Sequence, residues 1–566
     1  MGIVQGPEAE EMDQKVLPNN PFVPPKGDSC PINQLPPELL SVIFEVGALE
    51  GSVNQDDEDE ITARYWNEFG EENQLDKENS DDDVAMTDGD ATDDDEGSVM
   101  TGSSDAPDNW PPFQILVSHV CKHWRTVALS TPSLWTSIEV SARERPPYER
   151  VSILLERSGG LTLDIRIDCE MPDDEEDFES DDGETPELSE GDLKVLFALL
   201  IAHVPRWGSI SVDVASYEHM YTFLQAISDP SVPPATQLES LQLYHHEEWQ
   251  EESTAFPKPK LLKHFTLFGG SIPCLKSLAL WGVHVDWSQS WLASAPNLLD
   301  LELAYHTDDV RPSWAEFAAT LRSASKLETL SLCLSGPSGA PAQWTTEDPS
   351  SIIPLPKLTD LVLGFHSPSY TIGLLHKLFT PALKSLTLDF DNEDYTDLVT
   401  QLAGPATTVE PPSAHEKPYS LLSILESLKI SGLPCGDRSV ETLYAELKPL
   451  KSLNLSMSYL SPAFLDLLCC PCHLPEHGDI WLPRLNVLSV SGAQGDKIRE
   501  VVQKRKDAGV PLKSLYLEES CEVEDTDVEW LKDNLETFDF FEGSDDEDVV
   551  DMVDGIEDAD EWSDVD

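Results

Sequence analysis

A six-residue unit, L-x-x-L-x-L, recurs eleven times between residues 238 and 540, from LESLQL at the start to LETFDF at the end. The spacing from one unit to the next runs from 23 to 42 residues. In each unit the last two Leu positions alternate with polar ones, which predicts a short strand with one buried face. Such a strand cannot bury that face alone, so the units must stack, and self-similarity at this period marks a solenoid. The eleven strands should form one parallel sheet in sequence order, because each spacing leaves room for a crossover. The Leu positions should be buried, with Ser277 and Ala279, or Ser452 and Asn454, on the opposite surface. Gly282, Gly432 and Gly492 follow their strands closely, where the chain must turn off the sheet. Apolar-periodic stretches such as WAEFAATL at 314–321 predict helical return segments.

Ahead of the repeats the texture differs. Residues 1–31 are polar and rich in Pro. Residues 32–50 read as an apolar helix entry, and PPFQILVSHVCKHWRTVALS at 111–130 as a second helical segment. In it Val117, Val120, Cys121, Trp124 and Ala128 recur with a period near 3.6, one apolar stripe on one helix. Between the two lies acid. The formal net charge of the 566-residue chain is −70, and three runs carry most of it. Residues 54–108 hold 21 acidic and 2 basic residues, 168–192 hold 14 acidic, and 542–566 hold 13 acidic. Such runs cannot bury enough apolar surface to fold, which predicts disorder. A strongly acidic chain also argues against nucleic acid or an anionic membrane as partner.

The two helical segments together resemble an F-box. INQLPPELLSVIF at 32–44 carries Leu35, Pro36, Glu38, Leu39, Leu40, Ile43 and Phe44 of the first half. LVSHVCKHWRTVALSTPSLWTSIEV at 116–140 carries Val120, Cys121, Lys122, Trp124, Arg125 and Ala128 of the second. The chain departs from the family pattern in the long acidic insert between the halves. With the repeats, the chain resembles the F-box proteins with leucine-rich repeats that abound in mushroom-forming fungi. The resemblance implies an α/β leucine-rich-repeat solenoid with a parallel sheet on its concave face. It further implies a small all-α F-box before the solenoid, and the composition adds long disordered acidic segments.

The expected division is a disordered 1–31, an F-box over 32–140 interrupted by an insert at 51–109, a solenoid over 141–541, and an acidic tail over 542–566. Clear repeats occupy 238–541, and 168–192 is a second acidic insert. The resemblance implies a non-catalytic subunit of a Skp–cullin–F-box (SCF) ubiquitin ligase. Its F-box would bind the ligase adaptor through Leu35, Pro36, Leu39, Leu40, Ile43, Phe44, Val117, Val120, Cys121, Trp124 and Arg125. The solenoid would bind an unknown protein substrate. Candidate contacts are Tyr244, Trp281, Ser427, Lys429, Ser452, Asn454, Ser489 and Tyr516, strand positions beside the buried Leu or bulky side chains near them. A rival is a ligase-independent acidic scaffold, or a chaperone of histones and other basic proteins.

Other motifs are weak. Cys469, Cys470, Cys472, His473 and His477 contain a C-x-x-C-H string, but lack the usual zinc-finger spacer, so neither metal nor other cofactor is expected. Ser80, Ser180 and Ser544 precede acidic residues, as acidophilic kinases prefer. No catalytic triad motif or phosphate-binding glycine loop occurs. The opening residues lack a basic stretch followed by an apolar one, and no apolar run approaches membrane-spanning length. These features predict an intracellular protein, cytoplasmic or nuclear.

Overall fold

The structure is a computed structural model. It describes residues 32, 35–53, 112–142, 144–169, 189–245, 255–289, 291–344, 352–390, 393–407, 419–470 and 480–541. Most of the three acidic runs, with Ser80, Ser180, Ser544, Cys472, His473 and His477, lies outside the described residues. The chain divides into a helical unit that ends at Trp135 and a sheet-bearing unit that begins at Thr136.

The helical unit holds α1 (Pro37–Val53), α2 (Phe113–Val120), α3 (Lys122–Leu129) and a 3-10 turn at Pro132–Trp135. Pro37 opens α1, where its missing N–H is harmless. The inner side of α1 buries Leu40 and Phe44, and Phe44 meets Trp124 at 5.0 Å between ring centroids. Gly47 faces the Phe113 ring so closely that a Cβ there would lie 2.4 Å from it. The single helix expected over 111–130 is two. Cys121 adopts an extended conformation (φ −159°, ψ 168°), and its sulfur accepts a hydrogen bond from the Trp124 N–H at 3.4 Å, capping α3. The break splits the expected stripe: Val117 and Ala128 are buried, whereas Val120 is exposed.

The second unit is α/β. Its sheet has fourteen parallel strands in sequence order, each bonded to its immediate neighbours, with the first and last strands at the two edges. They are β1 (Ser137–Ser141), β2 (Leu163–Asp168), β3 (Trp207–Val214), β4 (Ser240–His245), β5 (Ser277–Trp281), β6 (Asp300–Ala304) and β7 (Thr329–Cys333). A short β8 (Ile353–Pro354) pairs with β10 (Leu378–Phe379) outside the main sheet. The main sheet continues through β9 (Asp360–Gly364), β11 (Ser385–Asp389), β12 (Ser427–Ile430), β13 (Ser452–Ser456), β14 (Val487–Ser491), β15 (Ser514–Glu518) and β16 (Thr537–Phe541). The eleven repeat units are thus adjacent parallel strands, as expected. Three earlier strands extend the sheet, which begins at Ser137 rather than after residue 141. The second acidic run is also narrower than read: Asp168 ends β2, and Ser189 with Asp192 forms a capping box that opens the helix at Glu190–Ile201.

The Leu phase follows the pleat. In the unit at 275, Leu275, Leu278 and Leu280 are all buried, and the same three positions are buried in every unit except the last. The second residue of each unit carries the stacking. The Glu239 carbonyl accepts both the Lys276 and Ser277 N–H groups, Lys276 does the same for Leu299 and Asp300, and the pattern repeats to Lys513 with Glu536 and Thr537, all at 2.7–3.1 Å. Each carbonyl thereby uses both lone pairs on the next coil.

The turn past each strand is left-handed in several coils. Gly282 (φ +63°) and Gly492 (φ +64°) meet that demand, but Tyr305 (+53°), Leu334 (+44°) and Phe365 (+53°) hold the position equivalent to Gly282. Each of these non-glycine residues costs about 1–2 kcal/mol in that conformation. Gly432 has a different reason to be glycine: a Cβ there would lie 2.0 Å from the Phe390 carbonyl oxygen.

Candidate docking surfaces

In the helical unit, the outer side of α1 carries a stripe at i, i+3, i+4 and i+7. Leu39 is 52% exposed, Val42 52%, Ile43 43% and Val46 49%. Helical spacing puts these four on one face, opposite Leu40 and Phe44. Four large apolar side chains left outside in one row form a surface that water disfavours. Among the expected adaptor contacts, Pro36, Leu39, Ile43, Val120 and Arg125 are exposed, and Leu35, Cys121 and Trp124 are half-buried. Leu40, Phe44 and Val117 are corrected to core positions, because the other helices of the unit cover them. Val42 and Val46 were missed, although the period of 3.6 from Leu39 would have found them.

In the sheet-bearing unit, the face opposite the buried Leu presents three rows set by register. The first is almost wholly Ser, Thr and Asp: Ser277, Asp300, Thr329, Asp360 and Ser385 lie side by side on β5, β6, β7, β9 and β11. The second runs Ala279, Glu302, Ser331, Val362, Thr387, then Lys429, Asn454, Ser489 and Tyr516. The third carries Trp281, Ala304, Cys333, Gly364 and Asp389. Ser427, Lys429, Ser452, Asn454, Ser489 and Tyr516 lie on this face, each half-buried, as their phase required.

Tyr244 and Trp281 are corrected. They share the face, but both are buried, in a cluster with Ala279, Ala304, Cys333 and Val362. Trp281 meets Tyr244 edge-on at 5.0 Å and Tyr305 at 5.4 Å, and its Nε1–H donates to a Glu302 carboxylate oxygen at 2.8 Å. Tyr305 and Phe365, two of the left-handed residues, pack on this cluster. Backbone strain and aromatic rings therefore gather where β5 to β9 end. Strain of this kind persists where the surroundings over-determine it, which is a mark of functional surfaces.

Behind the strand ends stands a buried histidine group. His306 Nδ1 lies 2.8 Å from the Ser335 hydroxyl and Nε2 lies 3.2 Å from the Val283 carbonyl, so Nε2 carries the proton and Nδ1 accepts. Arg311 donates to the His306 carbonyl at 2.7 Å and to the Leu334 carbonyl at 2.5 Å. Burial pushes His284 down to about 2 and His306 and His366 down to about 3. At Cys469 burial pushes the thiol up to about 11, away from metal-binding thiolate character. Among the described residues no three His, Cys, Asp or Glu side chains are grouped to hold a metal ion, and no helix is long and apolar enough to cross a membrane.

No protein-family model and no curated protein matches this chain.

Proposed function

We propose that this chain is a substrate-recruiting subunit of an SCF-type ubiquitin ligase, without catalysis of its own. The helical unit acts as an F-box and docks on the ligase adaptor through Leu39, Val42, Ile43 and Val46. The leucine-rich-repeat solenoid holds the target on the non-Leu face of its sheet. Ubiquitin transfer belongs to other subunits, and this chain contributes proximity, which raises the local concentration of the target. The observation that carries the reading is the exposed apolar stripe on the very helix whose sequence resembles the F-box.

A pull-down with purified Skp-type adaptor tests it. Covering the exposed part of each of the four side chains contributes about 2 kcal/mol at 25 cal/mol per Å². Leu39→Asp with Ile43→Asp removes two of them and buries charge, so capture should fall by about 100-fold or more, with the fold unchanged. Undiminished capture by this folded variant ends the reading. Trp124→Ala is a poorer probe, because Trp124 packs on the buried Phe44 ring and its loss would destabilise the unit itself. The charge of −70 favours a second reading, an acidic chaperone of basic proteins. Salt separates the two: apolar docking survives high ionic strength, and capture by acid runs does not.

A further inference from the structure

We infer that residues 545–553 of the acidic tail form the return helix of the last coil and close the open end of the solenoid, with Val549, Val550 and Val553 packed on Leu535, Phe538 and Phe540. The inference goes beyond the ligase reading and stands whatever the array recruits. The surface to be covered lies on the described residues. β16 is the last strand of the sheet, with a neighbour on one side only. Leu535, Phe538 and Phe540 are half-buried, whereas the same three positions are buried in all ten units before them. The end of a solenoid exposes the core that every inner coil hides on its neighbour, so such an end needs a cap. The four coils before it each cover their core with a helix after the strand, at Asp437–Glu446, Ala463–Cys469, Gly495–Asp507 and Asp525–Asn534, and each of these helices packs on the next. The row stops at Asp525–Asn534. There Trp530 faces the preceding helix, whose Arg499 stands 4.9 Å from its ring. Half-buried Val528 and exposed Lys532, one turn apart, lie on the side away from Trp530.

The occupant is named by spacing. Ile430 is followed at 9, 10 and 13 residues by buried Ser439, Val440 and Leu443, and Leu455 at the same three distances by buried Phe464, Leu465 and Leu468. Counted from Phe540, those distances fall on Val549, Val550 and Val553. The composition of 542–566 predicts disorder for the run as a whole, yet five of its eight apolar residues fall within 549–556. Both ends of the helix are marked. Ser544 and Glu547 repeat the spacing of Ser189 with Asp192 and of Ser313 with Glu316, capping boxes that open helices in this chain. Asp545, Asp546 and Glu547 fall in the first turn, where the helix dipole favours acid. Gly555 stands where the chain leaves the helix, as Gly509 does at φ +78° after the helix that ends at Asp507. Asp551 falls on the side opposite the valines, in water. Charge disfavours a second copy as the cover, because two such ends would bring exposed Glu536 and Asp539 of each copy together.

Hydrogen exchange of the full chain, read by mass spectrometry on peptic fragments, tests this. A helix this short has no lasting structure by itself in water, so protection there reports packing. Amides of 549–553 should exchange about tenfold or more slowly than a free chain. Val550→Asp with Val553→Asp should return them to the free-chain rate and speed exchange over 535–541 by about tenfold or more, with β4 to β6 unchanged as the sign that the array stays folded. Ala559→Asp with Val565→Asp, the same charge change outside the helix, should alter neither segment. Free-chain exchange at 549–553 in the wild type overturns the inference, and so does protection of 535–541 that survives the valine variant. Protection of 535–541 that is lost on dilution assigns the cover to a second copy and overturns it as well.

Discussion

Mild acid should loosen the sheet-bearing unit through three histidines. His284, His306 and His366 are buried and held neutral, with burial as the first cause of each depressed pKa. Like-signed neighbours reinforce it: Arg311 beside His306 and His366, and His245, His264 and His306 around His284. In the unfolded chain each would titrate near 6.5. Below that pH the unfolded state binds protons that the folded state refuses, so stability is full above about 6.5 and falls as pH drops toward 3. At pH 5.5 the loss is about 1.4 kcal/mol per histidine, or about 4 kcal/mol for the three, a large share of ordinary stability. Protonating His306 would also remove the acceptor that Nδ1 offers to Ser335. The assay is urea unfolding followed by tryptophan fluorescence at pH 7.5 and 5.5. Dense carboxylates respond to pH with their own sign, so the informative quantity is the difference between wild type and a His306→Gln, His366→Gln variant. That variant should start less stable and lose about 3 kcal/mol less between the two pH values. An identical pH dependence in both proteins would refute the reasoning.

Two further perturbations probe the stacking. Gly432→Ala should destabilise by about 1–3 kcal/mol in urea unfolding, because the new Cβ would sit 2.0 Å from the Phe390 carbonyl, whereas Gly160→Ala, with open space around it, should be near neutral. Arg505 is fully buried and donates to the Trp481, Leu482 and Leu485 carbonyls at 3.0, 2.8 and 3.3 Å. Arg505→Leu leaves those acceptors without their cation and should cost about 3–5 kcal/mol by the same measurement.

The sheet was legible because a period of two, repeated eleven times, admits one phase. The three strands ahead of it lack the Leu signature. SIEVS, LDIRID and WGSISVDV alternate Ile, Val and polar residues without the Leu spacing, so the clear repeats began only at 238 and SIEV fell within the F-box segment. The break at Cys121 carried no Gly or Pro to announce it. It rests on a sulfur cap and on packing that a single helical stripe cannot foretell. Periodicity did hold the outer stripe of α1, but the family pattern drew the eye to Leu40 and Phe44, which the other helices of the unit cover. On the sheet, alternation tells which side a residue takes, not whether that side is covered. Hence Tyr244 and Trp281 were placed on the right face with the wrong exposure. The left-handed Tyr305, Leu334 and Phe365 were invisible, since sequence marks such turns by glycine and these coils have none there.

The bonds that join one coil to the next at the second unit position are made by main-chain carbonyls and N–H groups, whatever side chain stands there: Glu239, Lys276, Leu299, Glu328 and Thr359 all serve alike. Growth and loss of the array are therefore cheap in evolutionary terms. A duplicated coil finds its docking groups already present on its template, and an excised one leaves a matching pair behind. The residues on the opposite face are free to diverge, coil by coil, without renegotiating the stack. Units can thus be shuffled and their outer face rewritten, while the joinery between them stays indifferent to the outcome.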